Sequence, residues 1–308
     1  MKQLFIVESP FQLINAFEAI HTFKSDGQCL FVRFSGNSSN DLQIRDTLTK
    51  LEVKKIATIK ELTINSSNRN PVDYLKLLYW KLYFLLNIGR FHKVFIGNYD
   101  SPFMRLVIGA RSDVVLLDDG FKSLQIQNSF TEDHYFDWFS IFDLKALSNQ
   151  TISPNTYTYL HKNLPERPLT VKREVLFIGS KMSEIGVLSE GAYMHLMGQI
   201  AKRFSQETLI YIPHRGESET KLDKLSKIKN LRIKSLSYPV ELLAIFDPIS
   251  PKTIASFYST ALITLSKIYQ VETIAFKFDY SRSLNATEIE KVYGYCKNHI
   301  TVIAEENI

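Results

Sequence analysis

The stretch LIYIPHRGES, residues 209–218, ends an apolar run at Pro213 and then presents His214 and Arg215 side by side. An imidazole beside a guanidinium suits an anion, because both donate hydrogen bonds and the guanidinium adds fixed charge; packing or a surface position accounts for a lone histidine after a strand as well. Earlier in the chain, VVLLDDGFKS (114–123) runs four apolar β-formers into Asp118, Asp119 and Gly120. A carboxylate held near its twin in a partly buried place has a raised proton affinity and can act as a general base. A plain Asp-Gly turn accounts for the same residues. IASFYSTALIT (254–264) sets Ser259 and Thr260 between a strand-like run and an apolar helix. Hydroxyls with free N–H groups there make a phosphate seat, and a capped helix explains Ser259 equally well. LSYPVELLAIF (236–246) places Glu241 at a helix start after Pro239, where it complements the helix dipole or accepts hydrogen bonds from a ribose.

Two further segments echo one another. IVESPFQL (6–13) and GNYDSPFMRL (97–106) both pass from a strand through an acidic residue, or one close by, into Ser-Pro-Phe and a helix. Ser9 and Ser101 read as N-caps, Pro10 and Pro102 as first helical residues, and Ser9 with Gln12 as a capping box. The same helix starts offer N–H groups to a sugar oxygen or an anion, which makes Ser9, Pro10, Gln12 and Asn98 candidate substrate contacts.

All these polar groups need strands to position them. The apolar β-rich runs are Leu4–Val7, Leu30–Phe34, Lys55–Ile59, Val94–Gly97, Val114–Leu117 and Ser140–Phe142. A second series is Val175–Gly179, Leu209–Ile212, Leu231–Lys234, Thr253–Phe257, Thr273–Phe276 and Thr301–Ala304. Helix-periodic segments such as Leu13–Phe23, Ser189–Phe204 and Glu219–Ile228 lie between many of them, a pattern that predicts α/β units with parallel sheets. Glu8 and Ser9, Asn98–Asp100, Asp118–Gly120, Gly179 and Ser180, Pro213–Arg215, and Ser259 with Thr260 all fall at carboxyl ends of strands, the edge where open α/β sheets bind ligands. The segment 153–174, with three prolines, reads as a linker. It divides an N-terminal domain, 1–160, from a C-terminal domain, 161–308. VDYLKLLYWKLYFLLNIGRF (72–91) is apolar almost all round and predicts a buried helix. The alternative is a subunit contact or a membrane-surface contact, with Lys76, Lys81 and Arg90 facing anionic lipid.

Composition narrows the class. With 308 residues, 45% hydrophobic and 22% charged, the chain fits a globular protein large enough for two domains. The net charge of +5 is scattered rather than blocked, so no nucleic-acid stripe is visible. Cys29 and Cys296 stand in no metal-ligand spacing and build no disulfide framework. The opening MKQLFIVESP is broken by Glu8 too early for a signal peptide and reads as a first strand. No run of 18 apolar residues occurs, and the expectation is a soluble cytoplasmic protein, peripheral on the inner membrane face if the apolar helix meets lipid.

Taken in order, Asp-Asp-Gly, then Pro-His, then Ser-Thr resembles the three short motifs of bacterial sialyltransferases: a D/E-D/E-G motif, an HP motif and an SS/ST motif. SPFQLINAFEA and FIGSKMSEIGVLSEGAYMHLM look most like family 52, the lipooligosaccharide sialyltransferases, with capsular polysialyltransferases as relatives. The resemblance implies a GT-B fold, two Rossmann-like domains facing a cleft, with CMP-sialic acid on the C-terminal half and a glycan acceptor on the N-terminal half. It implies Asp119, or else Asp118, as the base that activates the acceptor hydroxyl, and His214 as the group meeting the CMP phosphate. Ser259 and Thr260 are then further phosphate donors and Glu241 the ribose contact; Gly179, Ser180, Pro213 and Arg215 complete the donor side. Arg215 stands where the family has the proline after histidine and itself suits phosphate. Glu184 in KMSEIG is the alternative base. The implied reaction is an inverting, metal-independent transfer to a terminal sugar, expected to be galactose, of lipooligosaccharide, O-antigen or capsule. Alternatives are another CMP-linked keto-sugar such as Kdo or legionaminic acid, a polysialyltransferase, or a non-catalytic glycan-binding protein. A homodimer is compatible with all of them.

Overall fold

The structure, a computed structural model, describes residues 2–65, 70–108, 113–127, 136–164, 173–247 and 251–308. It separates into two compact units, Met1–Tyr159 with Ser237–Pro239, and Leu160–Leu236 with Val240–Ile308.

The first unit runs β1 (Lys2–Val7), α1 (Pro10–Thr22), β2 (Gly27–Phe34), α2 (Ser38–Lys50), β3 (Thr58–Thr63), α3 (Pro71–Asn87) and β4 (Phe91–Ile96). It continues with α4 (Pro102–Ile108), β5 (Val114–Leu117), α5 (Lys122–Gln127), β6 (Phe136–Ser140) and β7 (Ile152–Pro154). Its strands form one parallel sheet in the order β3-β2-β1-β4-β5-β6-β7. The central strands are buried on both faces, so they read as continuous apolar runs rather than alternating ones.

A short helix, α6 (Thr158–Lys162), spans the division. The second unit then holds β8 (Glu174–Ile178), α7 (Glu190–Arg203), β9 (Thr208–Ile212), α8 (Glu219–Leu225), β10 (Leu231–Ile233) and α9 (Leu243–Phe246). β11 (Thr253–Ser256), α10 (Thr260–Tyr269), β12 (Glu272–Phe276), α11 (Ala286–Lys297) and β13 (Thr301–Ile303) complete it. The sheet is again parallel, in the order β10-β9-β8-β11-β12-β13. In each unit the first strand sits centrally, and the winding reverses beside it, between β1 and β4 and between β8 and β11. That reversal opens the crevice in which doubly wound sheets hold ligands.

Apart from β6, which runs Phe136–Ser140 and so begins four residues before the expected Ser140–Phe142, three expectations need correction. β3 lies three residues later than the sequence pattern places it, because Val53–Lys55 forms a 3₁₀ turn entered through Glu52 at φ 49°. Part of the expected linker is edge strand: Ile152–Pro154 pairs with β6, a place where proline is tolerated. Residues 165–172 of that linker lie outside the described residues.

The third correction is α3, which is not buried. Asp73, Leu77, Trp80, Phe84 and Ile88, spaced three and four apart, face the core of the first unit. The opposite face carries Leu75, Leu78, Leu82, Leu85 and Leu86, each more than half exposed.

Candidate functional site

In the first unit the candidate site is built on the exits of β1, β4 and β5. Ser9 caps α1 by accepting the Gln12 N–H at 3.3 Å, and Pro10 fills the first helical position. The reciprocal half of the expected capping box is displaced, because Gln12 Oε1 accepts the N–H of Glu8, at 2.9 Å, and not that of Ser9. Gln12 is thereby pinned at one end, and its Nε2 donates to Asp119 Oδ1 at 2.8 Å. To reach from the β1 exit to the β5 exit the side chain crosses the end of β4, where residue 97 is glycine. A Cβ there would stand 2.4 Å from Gln12 Oε1, so only glycine leaves the path open.

Glu8 gathers the remaining polar groups. Its carboxylate accepts from Arg33 Nε and Asn98 Nδ2, both at 2.8 Å, and from Ser101 Oγ at 3.1 Å. The two Ser-Pro-Phe segments therefore differ in role: Ser9 caps its helix, while the Ser101 hydroxyl ties α4 to Glu8. Lys122 Nζ completes the cluster, 3.2 Å from Asn98 Oδ1 and 3.2 Å from Asp100 Oδ2.

The two adjacent aspartates separate cleanly. Asp118 is fully buried, its Oδ1 accepting from Ser140 Oγ and its Oδ2 from the Ile141 N–H, each at 2.7 Å. Its carbonyl accepts from Asn15 Nδ2. Both carboxylate oxygens are spent on joining β5 to β6, so Asp118 acts as a structural brace. Asp119 is half-buried, and Gly120 turns the chain away at φ 71°. Burial raises the Asp119 carboxyl above the ordinary carboxylate value; Gln12 and Lys122 pull it down, and Glu8 and Asp100 push it up. Of the pair, Asp119 has the exposure and basicity to take a proton.

In the second unit the exits of β8, β9 and β11 hold the candidates. The Pro213–Glu217 loop folds onto Glu217, whose side chain is buried. Glu217 Oε2 accepts the His214 N–H at 2.6 Å; Oε1 accepts from Tyr211 Oη at 2.6 Å and lies 2.7 Å from Lys221 Nζ. Lys221 Nζ also donates to the Ser180 carbonyl at 2.9 Å and sits 3.5 Å from the centre of the Tyr193 ring. Tyr193 and Tyr211 join through their hydroxyls at 2.6 Å. This buried charged network holds the loop backbone. Gly179, expected on the donor side, makes room for it, since a Cβ would lie 2.4 Å from Glu217 Oε2.

His214 is thus fixed by its backbone, and its ring is fixed as well. The Gly216 N–H donates to Nδ1 at 3.0 Å, which leaves the proton of the neutral ring on Nε2. Burial lowers its pKa to about 4, with Arg215 and Lys181 adding to the shift. At neutral pH His214 is a neutral N–H donor, and exposed Arg215 beside it carries the positive charge. On the other side of β8, Ser259 caps α10 by accepting the Ala261 N–H at 3.3 Å, with Thr260 as the first residue of the helix. Both are half-buried.

Two expected residues take other places. The Glu241 carboxyl is buried, accepts from Thr264 Oγ1 at 3.2 Å, and is raised by that burial, so it packs against α10 rather than meeting a solvent-borne ribose. Glu184 accepts the Ser218 N–H at 3.0 Å and lies 3.4 Å from Lys221 Nζ. Burial alone would raise it, but these partners hold it below the ordinary glutamate value, which makes it a poorer base than Asp119. The sequence pattern assigned no role to Gly97, Glu217 or Lys221. The last two were visible as Glu and Lys four apart after a strand-ending proline.

The comparisons agree with this architecture. Residues 142–276 match the family model of alpha-2,8-polysialyltransferases, a span that includes His214, Ser259 and Thr260. No curated protein matches the chain. UDP-GlcNAc 2-epimerase from Methanocaldococcus jannaschii, solved with UDP-GlcNAc and UDP, superposes at TM-score 0.65 with 14% identity, covering 99% of this chain and 89% of that one. The Neisseria meningitidis epimerase bound to UDP-GlcNAc gives 0.62 with 12% identity, covering 100% and 89%. At these identities both speak for the fold alone, two Rossmann-like units of the GT-B type. The GT-B domain of a Photobacterium damselae sialyltransferase gives 0.48 with 12% identity, covering 99% and 100%, too distant to add to the argument. The family match supports the resemblance to bacterial sialyltransferases, spanning the Pro-His and Ser-Thr motifs but not Asp-Asp-Gly, without singling out family 52 among them.

Proposed function

We propose that the protein is an inverting, metal-independent sialyltransferase that moves sialic acid from CMP-sialic acid to a sugar hydroxyl of a bacterial surface glycan. The observation that carries this reading is the family match over the segment holding the His214 loop and the α10 N-terminus. In the reaction, Asp119 takes the proton of the acceptor hydroxyl as its oxygen bonds the anomeric carbon. The bond to the CMP phosphate breaks with its electrons on phosphate, and displacement from the opposite face inverts the centre. His214 Nε2–H, Arg215, and the hydroxyls and N–H groups at the start of α10 are the donors for that growing charge. Charge stabilisation by side chains and backbone assigns no step to a divalent ion, so turnover is expected to survive EDTA.

Supplying CMP-sialic acid with galactose-terminated and sialyl-terminated oligosaccharides, and weighing the products, tests the reading. Addition of one sialic acid to the galactose-terminated acceptor supports it. Transfer only from CMP-Kdo or CMP-legionaminic acid would replace the donor, and no CMP release with any acceptor would sink it. A second reading is favoured by the description of the matching family: successive α-2,8 transfer onto sialic acid itself. The match lies mainly in the second unit and leaves out Asp119 and Gln12, so it bears on the donor more than on the acceptor. A ladder of products on the sialyl-terminated acceptor would select it.

A further inference from the structure

The outer face of α3 has no use in the proposed reaction. At about 100° per residue, its five exposed leucines together with Val72, Tyr74 and Tyr79 fill an arc of roughly 160°. Lys76 and Lys81, both exposed, fall on the two margins of that arc. Asp73, the acidic residue of this helix, is buried beneath the Lys76 margin, 3.8 Å from Lys76 Nζ. Apolar centre, lysine borders and tyrosines near the edge are the layout of a helix lying in a membrane interface, where lysine stems reach back to the headgroups.

A second observation joins it. Beside the Lys76 margin, α3 contributes Tyr83 and Asn87 to a hollow of about 700 Å³ at the amino ends of β1 to β4. Lys2, Lys54, Lys55, Lys60 and Arg90 line the hollow, and no acidic side chain among the described residues does. Lys55 pairs with Glu52 and Lys60 hydrogen-bonds Tyr83, while Lys2, Lys54 and Arg90 are exposed. The hollow opens at the edge of the sheet opposite Asp119, so occupying it leaves the candidate base uncovered. A two-fold contact with another copy would set this cationic margin against itself, whereas an anionic surface complements it.

We propose that α3 and the adjoining basic hollow dock the protein on an anionic phospholipid bilayer, the leucines entering the acyl boundary and the lysines and Arg90 meeting headgroup phosphates. No described helix is long and apolar enough to cross a membrane, so this is attachment at a surface. The test is sedimentation of the full chain with vesicles of phosphatidylglycerol and phosphatidylethanolamine, or of phosphatidylcholine alone, alongside ultracentrifugation without lipid. Wild type should bind the anionic vesicles at least about tenfold better. Leu75→Gln with Leu82→Gln should abolish that binding. Lys54→Glu with Lys81→Glu should lower it about tenfold or more and remove its sensitivity to salt. All variants should keep wild-type CMP release with a soluble acceptor, since none touches the candidate site. Equal binding to both vesicle types, or unaltered binding by the leucine variant, would overturn the proposal. So would a stable dimer that the leucine variant splits while wild type ignores vesicles; the face would then belong to a second copy.

Discussion

The two sheets share a winding order and differ in what they hold at their exits. In each, a long polar side chain crosses a strand end that is glycine: Gln12 over Gly97 in the first unit, Glu217 over Gly179 in the second. The crossing group is a neutral amide in one case and a buried carboxylate paired with Lys221 in the other. Their products are opposite. The amide presents a half-buried carboxylate whose basicity is raised; the carboxylate fixes the backbone of a neutral histidine beside an exposed arginine. One scaffold thus presents a carboxylate of raised basicity or a neutral imidazole beside a guanidinium, according to the side chain laid across its strand ends.

The largest effect should come from breaking the charged brace. Glu217→Leu removes the shorter of the two carboxylate contacts of buried Lys221, leaving Glu184 at 3.4 Å, and should cost about 3–5 kcal/mol of stability by urea denaturation. Adding Lys221→Met should recover much of that loss. If the single variant is as stable as wild type, the brace is not what holds the second exit. Next come the two presented groups. Asp119→Asn should lower turnover by roughly 100-fold or more with CMP affinity unchanged, and His214→Ala should lower it comparably. Wild-type turnover in Asp119→Asn, with Glu184→Gln inactive, would move the base to the second unit and dissolve the contrast. Ser259→Ala should weaken CMP binding by roughly 10- to 150-fold in calorimetry, a hydrogen bond to a charged group being worth about 1.5–3 kcal/mol.

The smallest change sharpens the neutral brace. The Asp119 carboxyl is raised, so the acid limb of kcat/KM should lie above the ordinary aspartate value, activity rising as the base deprotonates. Gln12 donates to the ionised form and lowers that pKa; Gln12→Leu should therefore move the limb to higher pH, with little change in the plateau. A limb that stays or moves down would mean that Gln12 does not bond the working carboxylate.

Much of this was legible in the chain. Apolar runs stopping at Glu8, Asp118, Gly179 and Pro213 mark strand exits, because strands buried on both faces permit polar residues only where they end. The functional split within Asp118-Asp119 was not legible, since Ser140 and Ile141, which consume Asp118, are more than twenty residues away. The Gln12–Asp119 bond spans 107 residues and leaves no local trace. Gly97 and Gly179 read as the last residues of their strands, although each is required by a side chain arriving from elsewhere. On α3 the periodicity misled for a different reason. Apolar residues on every side are what a buried helix needs, and a helix with one face on a core and the other left open has the same composition.

Gln12 has one more consequence, and it is spectroscopic. The Glu8 N–H holds Oε1, so the amide cannot swap ends, and its NH₂ group is left facing the Asp119 carboxylate. Buried and held at both ends, that group should exchange slowly with solvent and give two well-separated proton resonances, one for the hydrogen against Oδ1 and one for its partner. Their separation should follow the charge on Asp119. With the glutamine side-chain nitrogens labelled, the resting protein would display the ionisation of its candidate base with no substrate added and no turnover measured.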